Sequence, residues 1–254
     1  MRKSNCIAAI FILGAMALFW TPVMLAQFEP EAEISRQAFQ LSPTGSFSLK
    51  NVNGSVTILA WDQPGVEIVS TKKGRTKEQM DMVKVEITAD PQRIFVDTIY
   101  PRGEHNLNVS VNYDVKVPRT ALLRDIDTVN GSIDIDGTSG EVNAQTVNGS
   151  IKVMNATGSV SAETVNGGIS VQLQNYTAST GMKLETVNGS IKLYLPDGAG
   201  ADVSAETVNG SIETDFPLTV QGKFGPKRLN GVLGKGGPRI RMNTVNGSVN
   251  LLRR

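Results

Sequence analysis

Cysteine and histidine are almost absent from this chain, with one of each in 254 residues. Cys6 is the only thiol, so beyond it there is no disulfide and no cysteine nucleophile, and any fold formed in an oxidising compartment must hold by packing alone. The one histidine, His105, sits in the loop-like run Pro101-Arg102-Gly103-Glu104-His105-Asn106. A hydrolase triad needs that ring held between a serine and an acid, and an exposed loop histidine is the simpler reading. Zinc needs three or four clustered ligands, and the sequence clusters none. Asp134-Ile135-Asp136-Gly137 has the opening of a calcium loop but lacks its further acids and closing glutamate. No catalytic, cofactor-binding or metal-binding residue is therefore expected.

Charge of one sign is lacking too. Arg2 and Lys3 are two of the 25 basic residues, and none of the 24 acids precedes residue 27, so the chain beyond it carries 23 basic against 24 acidic groups, a net charge of −1. That balance names no partner and does not point to nucleic acid. The distribution is uneven. Between Arg124 and Asp215 eleven acids stand against Arg124, Lys152, Lys183 and Lys192, whereas beyond Asp215 there is no acid and eight basic residues: Lys223, Lys227, Arg228, Lys235, Arg239, Arg241, Arg253 and Arg254. In a fold ordered by sequence these eight would gather at one end. There they are candidate contacts with an anionic envelope component, lipid or polysaccharide, although charge at an open β-edge also serves to block aggregation.

What the N-terminus does have is a basic pair, Arg2-Lys3, an apolar run over residues 7–20, and the small residue Ala26 before the polar Gln27. This is the layout of a secretory signal, with cleavage expected after Ala26 and an uncleaved membrane anchor as the alternative. Cys6 precedes the apolar run, where a lipid-bearing cysteine would follow it. The expected localisation is export, to the periplasm, the cell surface or the medium. The expected division is residues 1–26 as signal, 27–120 as a β-rich N-terminal portion, and 121–254 as a repeat region.

The repeat is the dominant feature. Thr128-Val129-Asn130-Gly131-Ser132-Ile133 recurs at 146–151, 164–169 (Gly168 for Ser), 186–191, 207–212 and, with a final Val, at 244–249. Asn51-Val52-Asn53-Gly54-Ser55-Val56 is an early relative, and Leu229-Asn230-Gly231-Val232 a degenerate one. Steps between successive asparagines, from Asn130 through Asn230 to Asn246, are 18, 18, 22, 21, 21 and 16 residues. Period-two alternation flanks each motif, with Val160, Ala162 and Thr164 on one face before it and Ile169 and Val171 after it, so each unit reads as strand, Asn-Gly corner, strand. Near-constant spacing favours an all-β solenoid of stacked coils, about 16–22 residues each, with a β-rich N-terminal cap. Coils in sequence order would place the motif valines and isoleucines in the core. Asn53, Asn130, Asn148, Asn166, Asn188, Asn209 and Asn246 would form a ladder, with Asn148, Asn166, Asn188 and Asn209 buried and bonded to neighbouring backbone, and the motif threonines a hydroxyl ladder beside it. Asn53 would then lie against Asn130. Asn-Gly-Ser also matches a glycosylation acceptor, but corner geometry explains its recurrence better.

These residues, with Trp61-Asp62 after the first motif, Val117-Pro118 before the repeats, and the closing Thr244-Val245-Asn246-Gly247-Ser248-Val249-Asn250-Leu251, resemble a bacterial family of proposed adhesins, β-strand-repeat domains of unknown function, over residues 39–252. The resemblance implies a non-catalytic, envelope-associated binding or scaffold role and brings no catalytic residue with it. Polysaccharide lyases and hydrolases are the enzyme alternative on such a scaffold. Glu163, Glu185 and Glu206, each just before a motif threonine, would stack at a spacing suited to paired-carboxylate chemistry, although a row set by the repeat is more simply a solvated face.

Overall fold

The computed structural model describes residues 31–103, 107–176, 181–220 and 227–254. The expected signal, His105 and Lys223 lie outside these residues. The rest is two long sheets lying face to face, one of ten strands and one of eleven, with no closed barrel. Each motif unit places its strand before the corner in the eleven-stranded sheet and its strand after the corner in the ten-stranded sheet. Like strands then pair in parallel, residue over residue: Thr146 with Thr128 and Thr164, Ile151 with Ile133 and Ile169.

Alternation explains why these segments are strands and which way they face. In Val160–Asn166 the side chains of Val160, Ala162 and Thr164 are buried, and in Ile169–Leu173 those of Ile169, Val171 and Leu173. β-Branched residues fit this pleated, one-layer core, and stacked copies fill it continuously. The corner is set by proximity more than by backbone conformation. Of the seven motif glycines only Gly54, at φ +125°, and Gly247, at the nearly extended +159°, have a positive φ, and Gly131, Gly149, Gly167, Gly189 and Gly210 do not. Instead, a Cβ built on Gly149 would lie 2.0 Å from the carbonyl oxygen of Gly131, and the other corner glycines repeat this approach. Only glycine lets successive corners stack so closely.

Residues 31–118 finish one end of the stack. Ser46–Lys50 and Val56–Trp61 flank Asn53 and form the first motif coil, parallel to Leu122–Asn130 and Ile133–Asp136. Arg93–Ile99 and Ser110–Pro118 add one further layer. Beyond it pairing turns antiparallel, with Lys84–Asp90 on one sheet and Val66–Gly74, then Glu31–Phe39, on the other. A short helix, Lys77–Met82, the only one among the described residues, is capped by Thr76, whose hydroxyl accepts from the Gln79 N–H, and buries Met80 against the end layer.

The other end departs from sequence order. Arg239–Asn246 pairs with Met182–Asn188 on one side and with Ala201–Asn209 on the other, and Val249–Arg253 lies between Ile191–Leu195 and Ile212–Thr214. The last coil in sequence is thus inserted between the two coils that precede it, and the corners run Asn188, Asn246, Asn209. Asn230 belongs to no coil. Its strand, Arg228–Leu233, runs antiparallel to Ala201–Asn209 and, with Leu218–Val220, covers that edge of the sheet. The final segment lies between the two coils, inside this cover. There Ile240, Met242, Val249 and Leu251 are all at most 1% exposed.

Candidate binding surface

The asparagines form one continuous ladder, but not the buried one expected. Asn130 Nδ2 donates to Asn53 Oδ1 at 2.8 Å, and Asn148 to Asn130, Asn166 to Asn148, Asn188 to Asn166 and Asn246 to Asn188 at the same distance. Asn209 closes the series, donating to Asn246 at 2.9 Å. All these pairs are exposed and bond side chain to side chain, because the corner turns the amide outward while backbone N–H groups pair among themselves: Gly149 N donates to Asn166 O at 3.1 Å. Every amide points the same way along the stack. Asn53 does lie beside Asn130 despite the 77 positions between them.

The threonines are buried, yet form no hydroxyl ladder. Thr146 Oγ1 donates to Gly131 O at 2.9 Å, and Thr164, Thr186, Thr244 and Thr207 make the same bond to the glycine of the coil before them in the stack. A corner carbonyl left without a ladder partner is thereby satisfied.

The motif valines are not core residues. Val129, Val147, Val165, Val187, Val245 and Val208 are 39–52% exposed and form a row across six coils on the outer face of the eleven-stranded sheet. Strand parity requires it: with Ala162 and Thr164 facing in, Val165 faces out. The sequence carries this parity, although valine's hydrophobicity alone points to the core. Beside the valines runs a polar row in the stacking order Asp127, Gln145, Glu163, Glu185, Asn243, Glu206. Together with the threonine backbone they line an open groove of about 750 Å³ that contains no aromatic side chain.

Little free charge faces this groove. Lys183 Nζ reaches Glu163 at 2.6 Å and Glu185 at 3.0 Å, and these two hydrogen bonds raise its pKa. Asn243 Nδ2 donates to Glu185 at 3.2 Å, and Arg228 pairs with Glu206 at 2.7 Å. Burial, then the nearby charge of Asp125, raises the pKa of Asp127. The three glutamates therefore do not form a contiguous row. Glu163 and Glu185 share one lysine, and the inserted Asn243 separates Glu185 from Glu206. No metal-holding cluster exists among the described residues.

The described basic residues after Asp215 lie within the last layers of this end of the stack, on or beside the edge strand Arg228–Leu233 and on the inserted coil two strands further in. Arg239 and Arg241 lie on the inserted strand, with Arg241 in register with Lys183 and Ser204. Arg253 binds Asp197 at 3.3 Å and covers the Phe216 ring, and Arg254 reaches Gln174 O at 3.4 Å. Lys227 and Lys235 are exposed in the segments around the edge hairpin.

Residues 44–252 match the family model described as Toastrack DUF4097. No curated protein matches the sequence. Among solved structures, a proposed cell adhesion protein from Clostridium sporogenes ATCC 15579 is similar with a TM-score of 0.55 and 13% identity, over 89% of this chain and 100% of that one. A proposed adhesin from Bacteroides fragilis NCTC 9343 is 9% identical over 87% of this chain and 97% of its own, with a TM-score of 0.29. A proposed lipid binding protein from Parabacteroides distasonis ATCC 8503 is 11% identical over 87% and 96%, with a TM-score of 0.34. At these identities the first likeness bears on fold alone, and the other two support no argument.

Proposed function

Since the chain belongs to the Toastrack DUF4097 family, a group with a β-solenoid-like fold, we propose that it is an exported, non-catalytic adhesin-like module that holds an envelope or surface partner along its outer valine row. The observation that carries this reading is the row itself. Six valines at 39–52% exposure stand side by side along one face, where a soluble surface would ordinarily scatter such residues singly. A row that runs across six stacked coils offers a long, uniform contact surface, which suits adhesion to an extended partner more than recognition of a compact one. The polar row supports binding over turnover. Its three glutamates are engaged by Lys183, Asn243 and Arg228 and share no proton, and Asp127 stands two layers from the nearest of them, Glu163, with no second carboxylate of the row beside it. Export rests on the basic and apolar N-terminus of the sequence. No helix among the described residues is long and apolar enough to cross a membrane.

The test is retention of the purified chain on envelope fractions from its own source. Val165→Lys with Val187→Lys places two charges mid-row without disturbing the buried face, and is expected to abolish retention while the circular dichroism and melting curve stay unchanged. Undiminished retention of a folded double variant would remove the groove from the account. Turnover of any envelope polysaccharide that disappears in Glu163→Gln or Glu185→Gln would replace binding with catalysis.

A further inference from the structure

The chain contains eight Asn-Gly pairs, at 53, 130, 148, 166, 188, 209, 230 and 246. Asn-Gly is the dipeptide in which an asparagine most readily loses its amide, because glycine leaves the following backbone nitrogen unhindered. Attack requires that nitrogen to be free of a hydrogen bond and the asparagine carbonyl carbon to swing over it. Stacking withholds both conditions from most of the pairs. The N–H groups of Gly54, Gly131, Gly149, Gly167, Gly189 and Gly247 each donate to the asparagine carbonyl of the next coil, at 2.9–3.1 Å. The side chains of Asn130, Asn148, Asn166, Asn188 and Asn246 are held at both ends, by donation through Nδ2 and acceptance through Oδ1. Asn230-Gly231 lies in the central strand of the antiparallel edge, paired on both sides.

Asn209-Gly210 alone escapes, because the insertion of the Asn246 coil leaves it as the last corner of the stack. Among the described residues no acceptor meets the Gly210 N–H, and Gly210 is exposed where the other motif glycines from Gly54 to Gly247 are partly covered. Asn209 keeps a single ladder bond, donated to Asn246, and its Oδ1 accepts none.

We infer that Asn209 is a site of spontaneous modification, at which the folded protein converts to aspartate and isoaspartate while the inner rungs are protected. The Gly210 nitrogen gives its proton to water or hydroxide and bonds to the Asn209 side-chain carbonyl carbon. The bond from that carbon to Nδ2 breaks and ammonia leaves with the returned proton. Water then opens the five-membered imide at either carbonyl. The product replaces the neutral end of the amide ladder with a carboxylate and, in the isoaspartyl form, lengthens the backbone at the terminal corner.

Full-length protein incubated in mildly alkaline buffer and mapped by tryptic mass spectrometry tests this, since cleavage after Lys192 and Lys223 isolates Asn209 from every other Asn-Gly pair. Acid is expected at Asn209 more than about tenfold faster than at Asn148, Asn166, Asn188 or Asn246, where reaction must wait for local opening of the stack. In denaturant the difference should collapse, because the sequences around the motifs are nearly identical. Equal rates in the folded protein would overturn the inference. So would a preference for Asn209 that persists in denaturant, since local sequence and not position in the stack would then be its cause.

Discussion

The middle of this molecule and its C-terminal third are built from the same motif, yet only in the middle does chain order match spatial order. From Asn130 to Asn188 each coil lies on its predecessor. After Asn188 the chain lays down the Asn209 coil a layer too far out, folds an antiparallel cover over it, and returns to fill the gap with the Asn246 coil. The difference teaches that the motif specifies what a layer is and says nothing of which layer is next. Asn meets Asn, the threonine hydroxyl meets a glycine carbonyl, and glycine meets glycine in the same way whether the neighbour is 18 or 58 residues away. Between the Asn209 and Asn246 motifs, Leu218–Val220 and Arg228–Leu233 pair antiparallel outside Ala201–Asn209 and form the edge, and the last coil lies inside it.

The largest effects are expected at the corners of the middle coils. A Cβ on Gly167 would sit 2.0 Å from Gly149 O, so Gly167→Ala should cost about 3 kcal/mol or more, or prevent folding. Gly168, next to it, has its nearest neighbour at 3.2 Å and occupies the serine position of the other motifs, so Gly168→Ser should be neutral or slightly stabilising. Chemical denaturation of the two variants checks both. Equal losses would show that close corner stacking is not what demands glycine.

At the N-terminal end the stack is closed by a buried polar pair, with the Tyr113 and Thr98 hydroxyls 2.6 Å apart. Burial pushes the Tyr113 hydroxyl up to about 12. Its folded value lies above the unfolded value of about 10, so its neutral form stabilises the fold fully below pH ~10 and that contribution fades as pH rises towards ~12, by about 2–3 kcal/mol. Tyr113→Phe should flatten this alkaline loss. An unchanged pH profile in the variant would place the alkaline weakness elsewhere.

A smaller effect separates an inner rung from the last one. Asn166→Ala removes two exposed ladder bonds and should cost about 1 kcal/mol, whereas Asn209→Ala removes one and should cost about half as much. Equal costs would mean that the ladder adds nothing beyond each asparagine's own corner.

Much of the layer was legible in the sequence. Alternation around Val160, Ala162 and Ile169 assigned the strands, and the isolated motif at Asn53 located the first coil. Two kinds of feature are not legible from composition. Valine's hydrophobicity points Val165 to the core, although its parity with Thr164 turns it outward. The order of the C-terminal coils had no local signal at all. Asn230-Gly231 resembles a motif closely enough to pass for a corner, and only the pairing partners of Arg228–Leu233 distinguish it from one.

Layer order is therefore the central claim, and cysteine pairs measure it directly. Asn250 lies in register between Lys192 and Glu213 on the outer face of the ten-stranded sheet. In a Cys6→Ser background, Lys192→Cys with Asn250→Cys puts the two thiols on adjacent strands, about 4.8 Å apart at Cα, within the reach of a disulfide. Lys192→Cys with Glu213→Cys puts them about two strand spacings apart, beyond it. The account predicts that the first pair oxidises to an intramolecular disulfide and the second does not. A disulfide between 192 and 213, with none between 192 and 250, would mean that the coils stack in the order of the chain and that the inserted layer does not exist.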